Sequence, residues 1–352
     1  SSDNGKTWEH LGLEDSHHIG RILLNPNNPD EVIIGVTGHL YSPNEERGIY
    51  KTTDGGQTWT GSSTEFLTAT GVNTMAVSPT NRDSVLINLR NARNGTSHGI
   101  YRSTDGGATW TQTAFNPSNI SWTGLGENGQ VYQLAYHPNI PGRVYIGTNQ
   151  GLYISNDDLQ TWTQVLSSAD ITHIQFHPSD TGVVYVYDDY YWGNNGDQIM
   201  VSLDGGFTFS GSDILTGNGG SNVEIAVSPD CPDCVFAASG NGVWKSTDKG
   251  QNFQFMSNPS GTCDGFAVSD QDTSIMIYGM LDIYRSDDGG HNFSQVANWF
   301  INSSQPFNGP QYVHADLREI RSFNGEFYIG TDGYLAKSTN TGQDWQRLSR
   351  GT

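Results

Sequence analysis

The sequence predicts an all-β chain folded as a seven-bladed β-propeller, and three observations carry that expectation. An eight-residue pattern occurs eight times along the 352 residues, at intervals of 40 to 52. Between its copies lies a second recurring unit, two short apolar runs around a Pro/Asn/Asp turn. Gly (43) and aromatics (11%) are plentiful, only 15% of residues are charged, and no long run shows the i, i+3, i+4 apolar spacing of a helix. Self-similarity at this period signals a repeat architecture rather than separate domains.

The pattern begins at Ser1 as SSDNGKTW and returns as TTDGGQTW from Thr52, STDGGATW from Ser103 and SNDDLQTW from Ser155. It then appears as SLDGGFTF from Ser202, STDKGQNF from Ser246, SDDGGHNF from Ser286 and STNTGQDW from Ser338. Ser/Thr and Asp side chains can bond the N–H groups of a tight turn, and Gly takes the positive φ that closes it. The terminal Trp or Phe buries the hairpin against a neighbour. Two copies depart from the rule, with Leu159 in the glycine position and Asn340 in the aspartate position.

The second unit reads ILLNPNNPDEVIIGV, MAVSPTNRDSVLINL, LAYHPNIPGRVYIGT, IQFHPSDTGVVYVY, IAVSPDCPDCVFAAS, FAVSDQDTSIMIYG and a shortened IRSFNGEFYIGT. Each is a strand, a turn and a second strand. A third strand precedes each box (GIYKT, GIYRS, GLYIS, QIMVS, GVWKS, DIYRS, YLAKS) and a fourth follows it. Four strands per repeat form a blade that cannot cover its own apolar faces, so blades stack radially. Residues 17–352 supply seven complete blades. Residues 1–16 are then a leftover hairpin and strand, expected to come from an upstream repeat of a longer multidomain chain. The alternative is an eight-bladed ring with an incomplete N-terminal blade.

The eight-residue pattern is identified as the Asp-box, or BNR repeat, which in the families that carry it marks the turn between the third and fourth strands of a propeller blade. Boxes and first-to-second strand turns then share one face, and the remaining loops share the other. The box-side loops are short, whereas the opposite loops vary greatly in length, which is where binding usually resides on a rigid scaffold. Long insertions there carry Tyr41, Phe115, Trp122, Tyr190, Tyr191, Trp192, Trp299, Phe300 and Phe307. Aromatics flanked by Asn, Asp and Gly suit the apolar faces and hydroxyls of sugar rings, or else each insertion packs its own satellite cluster. Tyr41, Trp122, Tyr191, Trp192 and Trp299 are the candidate ligand contacts.

Carboxylates on the same face include Glu45, Glu46, Asp188, Asp189, Asp197 and Asp316. Glycoside hydrolysis needs two, one protonated and one ionised, across the scissile bond. Glu45 or Glu46 from blade 1 opposite Asp188 or Asp189 from blade 4 is the candidate catalytic set, and solvated surface acids are the plainer reading. Adjacent acids could instead hold calcium; no other cofactor and no other metal site is expected. His17, His18, His173 and His314 fall near the starts of first strands, and His314 with Asp316 would point the same way on a strand, as base and orienter or as hydrogen-bonded channel lining.

A formal charge of −20, with five lysines among seventeen basic residues, would repel a phosphate backbone. Nucleic acid is excluded as a partner, and no stretch reaches the length of a membrane-spanning helix. Cys231 and Cys234 are expected to form a local disulfide, with a free pair as the alternative; Cys263 stands alone. The acidic, lysine-poor composition fits a secreted or cell-surface setting.

The stretch DSHHIGRILLNPNNPDEVIIGVTGHLYSPNEERGIYKTTDGGQTW resembles the large secreted bacterial proteins with sortilin (VPS10)-like Asp-box repeats, often labelled glycosyl hydrolase-like. The resemblance implies polysaccharide binding, with or without hydrolysis, or else a protein- or peptide-binding module or a structural repeat of an adhesin. Sialidases that share the box use an RIP motif absent here. Double-propeller xyloglucanases place two Asp residues in a cleft between propellers, and one propeller alone lacks that cleft.

Overall fold

A computed structural model describes the chain except residues 2, 4, 6, 26, 40–44, 63–69, 92–96, 118, 120–128, 190–197, 213–222, 260–262, 301–308 and 349–352. Seven four-stranded antiparallel sheets follow one another, each with its strands in chain order. The first strands are Ile19–Asn25, Thr70–Val77, Val131–Tyr136, Ile171–Phe176, Glu224–Ser228, Gly265–Val268 and Leu317–Phe323. All seven contribute to the wall of one central channel of about 580 Å³, so the blades are arranged around a common axis. The all-β, seven-bladed propeller expected from the repeats is the fold. No described helix is long and apolar enough to cross a membrane.

The second and third strands are β-branched and aromatic and are covered on both sides, as in Val144–Thr148, Gly151–Ser155 and Val184–Asp188, where every residue is buried. Outer strands are short and exposed, such as Thr60–Gly61 and Ser210–Gly211. Apolar clusters join neighbouring blades pairwise. Ile33 and Ile49 of blade 1 meet Met75 and Ile87 of blade 2, and equivalent clusters join blades 2 to 3, 3 to 4, 4 to 5, 5 to 6 and 6 to 7. Among the described residues none joins blade 7 to blade 1.

Each box closes by the same bonds. In blade 4 the buried Ser202 hydroxyl accepts from Gly206 N (2.7 Å) and donates to Asp204 Oδ1 (2.7 Å), while Asp204 accepts from Thr208 N (2.9 Å) and Thr208 Oγ1 (2.6 Å). The bond from the hydroxyl to the fifth residue recurs in all eight copies, between 2.7 and 2.9 Å. Leu159 keeps it by adopting φ 66° without being glycine. Asn340 takes over the aspartate's bonds to the seventh residue, accepting from Asp344 N and donating Nδ2–H to Asp344 Oδ2, both at 2.9 Å. Cys231 and Cys234 are disulfide-bonded at the start of the second strand of blade 5, Cys231–Ser239, and Cys263 is a buried thiol.

The described residues among 1–13 form no strand. The fourth strand of the last blade is its own Gln346–Arg347, paired with Leu335–Ser338. The N-terminal hairpin lies beside it, where the Trp8 indole donates to Leu348 O at 2.6 Å.

Candidate functional site

The box side is fixed by its bonding. Box amides reach the first-to-second strand turn of their own blade, as Gly106 N does to Asp83 O at 3.1 Å. The opposite face carries the second-to-third loops and the blade connections, and titratable groups gather there and in the channel.

The densest group spans blades 3 and 4. Asp170 sits in the connection between Thr163–Ser167 and Ile171–Phe176, and Asp188 ends the second strand of blade 4. The two segments are laced together: Asp188 Oδ1 accepts from Asp170 N at 2.8 Å, and Asp189 N donates to Asp170 O at 2.8 Å. Three carboxylates are thereby held close. Burial, and then the charges of Asp188 and Asp189, push the Asp170 carboxyl up to about 6. Its Oδ1 is buried without a hydrogen-bond partner. Tyr132, on the channel wall from blade 3, is pushed up to about 12 by burial and by Asp170 and Asp189. A carboxyl that keeps its proton to near pH 6 beside two further acids is the arrangement that divides acid and base roles between like groups.

Deeper in the channel, Glu224 of blade 5 is pushed up to about 7 by burial and then by Glu319, with Arg321 opposing. His173 is lowered by burial and by Arg321. The channel is therefore polar and of mixed charge, with Arg21, Arg321, Glu224 and Glu319 on its wall.

The candidate residues separate into groups. Asp188 and Asp189 belong to the cluster just described, and Asp188 is buried rather than solvated. Glu46 lies on blade 1, where its carboxylate accepts from Asp15 N at 2.7 Å; Glu45 beside it is exposed. The four candidate acids thus fall on blades 1 and 4, each set engaged locally. His314 and Asp316 do not share a strand face as expected. The strand begins only at Leu317, and Asp316 turns the chain ahead of it with φ 58°. His314 instead bonds Ala315 O at 3.1 Å and packs edge-on against Tyr334.

Phe115 is fully buried against Tyr153 and Trp162, which is the satellite-packing outcome for that loop. Trp299 and Phe300 are exposed, edge to face with ring centroids 6.0 Å apart, on the connection after blade 6. Tyr41, Trp122, Tyr190, Tyr191, Trp192, Asp197 and Phe307 lie outside the described residues.

Two groupings were not foreseen. Asp170 follows an alanine in SSAD, with nothing to mark it until the fold brings Asp188 beside it. Asp15, His17 and His39 also come together, with Asp15 bonding His17 Nε2 at 3.0 Å and the two imidazole centroids 3.5 Å apart, tilted by 34°; their ligand atoms lie within 4.8 Å of one another. DSHH and TGHL are separated in sequence by the whole first hairpin of blade 1, so spacing alone gives no hint of it.

Box hairpins, seven four-stranded blades and a polar channel define a repeat propeller with its variable loops on one face. A family model described as Sortilin-Vps10 (Sortilin, neurotensin receptor 3) matches residues 1–139. A probable oligoxyloglucan-reducing end-specific xyloglucanase of Neosartorya fischeri is 29% identical over 175 residues, 44% of this chain and 21% of that protein. A xyloglucanase of Hypocrea jecorina is 32% identical over 170 residues, 42% of this chain and 20% of that protein. The chain therefore spans about a fifth of the length of these curated relatives. Among solved structures, a GH74 xyloglucanase from Xanthomonas campestris superposes with TM-score 0.59 at 17% identity, covering 98% of this chain and 56% of that one. YCF48 from Cyanidioschyzon merolae superposes with TM-score 0.57 at 16% identity, covering 94% and 98%. At such identities the structural likeness establishes the fold alone. Together the matches fit a sortilin/VPS10-like propeller.

Proposed function

We propose that the chain is an extracellular propeller that binds a polysaccharide across the loop face opposite its boxes. The observation that carries this reading is the exposed Trp299–Phe300 pair on the same face as the Asp170, Asp188 and Asp189 carboxylates. Exposed rings offer stacking platforms for pyranose faces, and acids beside them accept from hydroxyls. The xyloglucanase relatives support a plant-type glucan as the first ligand to try, and the Cys231–Cys234 disulfide supports an oxidising compartment. If the face also cleaves, Asp170 is the residue placed to donate a proton and Asp188 or Asp189 the ionised partner. In that assignment Asp170 takes the place of Glu45 or Glu46 in the candidate pair. Calcium bound by Asp188 and Asp189 is a separate proposal for the same acids.

A glycan panel including xyloglucan tests binding. Trp299→Ala and Phe300→Ala should each weaken it roughly tenfold, since one stacking contact contributes about 1 kcal/mol or more. Parent-like binding by both variants, or no binding by the parent, overturns the reading. Reducing-sugar release abolished by Asp170→Asn would show cleavage. The match to the sortilin-type family model favours a second reading, a protein- or peptide-binding module. Capture of peptides at the channel with no glycan bound would install it instead.

A further inference from the structure

We propose that Asp15, His17 and His39 form a binding site for a divalent transition-metal ion of the zinc type, on the loop face at the entry to blade 1. Among the described residues this is the one place where two imidazoles and a carboxylate bring their ligand atoms within 4.8 Å of one another.

The strand order places the site. Asp15 and His17 lie just ahead of the first strand, Ile19–Asn25, and His39 lies just past the second, Asn28–Val36. These strands are antiparallel neighbours with Ile19 opposite Val36, so the start of one and the end of the other meet away from the boxes. Main-chain bonds lock the two segments together. Thr37 N donates to His18 O at 2.8 Å, Gly38 N donates to the same oxygen at 3.3 Å, and the His18 ring bonds Gly38 O at 3.1 Å.

Local geometry then brings the side chains together. Ser16 N donates to Leu13 O at 3.1 Å and His18 N donates to Ser16 O at 2.6 Å, which closes a three-residue turn centred on His17. His17 holds φ 50° there, a left-handed conformation that favours glycine and persists where its surroundings over-determine it. Asp15 Oδ1 comes to lie 3.0 Å from His17 Nε2. Two donors each about 2.0–2.1 Å from one zinc ion are about 2.9–3.4 Å apart at bond angles of about 90–110°, so this pair already has the separation of two cis ligands. The His39 ring has its centroid 3.5 Å from that of His17. Drawing its ligand atom in from at most 4.8 Å needs a shift of at most about 1.4 Å, within the reach of a ring rotation.

The groups behind the ligands are in place as well. Glu46 accepts from Asp15 N at 2.7 Å, and Arg47 donates to His39 O. Two adjacent residues therefore hold the main chain of one ligand from each segment, which fixes the ligands before any ion arrives.

Donor type decides the ion. Imidazole nitrogen suits zinc, copper, nickel and iron, whereas calcium and magnesium take oxygen. The site thus differs in chemistry from the Asp188 and Asp189 acids. Three protein donors leave one tetrahedral position open, and Asp15 and His17 are exposed, so water or an oxygen of a bound ligand can reach it.

Calorimetric titration of the 352-residue chain with zinc chloride tests the site. One zinc should bind per chain, and His17→Ala and, separately, His39→Ala should each weaken binding at least roughly tenfold, the smallest loss usual even for an outer-shell partner. His291→Ala removes an exposed histidine of the blade 6 box and should bind as the parent does. Where an alanine variant melts below the parent without metal, His17→Gln or His39→Gln repeats the comparison. Cobalt gives a second readout, since its visible absorption should report nitrogen coordination in the parent and lose it in His39→Ala. Excess calcium should leave both signals unchanged. The proposal is overturned by a parent that binds no zinc, by parent-like affinity in both ligand variants, by an equal loss in His291→Ala, or by displacement of zinc with calcium.

Discussion

The Trp59 indole donates its N–H to the carbonyl of Leu11 at 2.7 Å, across 48 residues of sequence. This bond ties the box of blade 1 to the N-terminal hairpin, while Gly56 two residues before the box threonine packs on the Leu11 side chain. Trp59→Phe keeps most of the ring and removes the donor. It should cost about 1 kcal/mol, the usual net worth of one hydrogen bond, and lower Tm by about 2 °C. A thermal melt unchanged from the parent would show that the hairpin contributes nothing to blade 1.

Leu159 poses a competition between backbone and packing. It holds φ 66°, a conformation that costs a non-glycine residue about 1 kcal/mol, yet it is buried in the cluster joining blades 2 and 3. Leu159→Gly relieves the first and loses the second, and truncating a buried leucine costs about 2–5 kcal/mol. Packing is the larger effect, so the variant should be less stable in urea. A gain in stability would mean that the backbone strain dominates.

Within one box, hydroxyl and carboxylate differ in how replaceable they are. Ser202→Ala leaves the amide of Gly206 buried and unpaired, at a cost of about 1–3 kcal/mol. Asp204→Asn keeps an oxygen for the Thr208 amide, as Asn340 does for Asp344 in the last box. The serine variant should therefore unfold at lower denaturant than the asparagine variant, and the reverse order would refute this account of the hairpin.

Two sets of carboxyls pull stability in opposite directions with pH. The Thr58 side chain and amide hold Asp54 down to about 2, and the Thr208 side chain and amide do the same for Asp204. Their contribution is full above about pH 4 and is lost as pH falls toward 2. Asp170 and Glu224, raised to about 6 and about 7, bind protons in the fold that the unfolded chain releases. Their contribution is full below about pH 4 and is lost as pH rises through 6 and 7. Tm should peak in mildly acidic buffer and decline toward pH 8, and Glu224→Gln should flatten that decline. Parallel profiles for parent and variant would sink the assignment.

The fold was legible because the box is a local object. The bonds of its hydroxyl and carboxylate close within eight residues, so Ser, Asp, Gly and Thr at fixed offsets announce the hairpin wherever they occur, and even Asn340 and Leu159 leave enough of the pattern to be read. The short apolar runs VYIGT and VYVYD placed the neighbouring strands as readily. The candidate site was less legible, since it depends on which loops the ring brings together. Asp188 was visible as one acid among many, but its part-buried bond to Asp170 N exists only once blade 4 closes on its own connection. His314 and Asp316 misled for a local reason: two-residue spacing implies a shared face only within a strand, and Asp316 lies in the turn before one. Phe115 looked like its exposed neighbours in composition, and only the position of Tyr153 and Trp162 decides that it is buried.

A ring whose last member reaches its first, among the described residues, through the N-terminal hairpin of Trp8 and Leu11 has a cooperativity nearer that of a row than of a hoop. Closed propellers have no free end from which to come apart, whereas here Ile22 and Leu24 are exposed and, among the described residues, no apolar cluster joins blade 7 to blade 1. In a stack whose units touch only their neighbours, loss of order can start at an end and travel inward. Blades 1 and 7 should then exchange their amide hydrogens first and blade 4 last, a gradient that a hoop of equivalent units would not show.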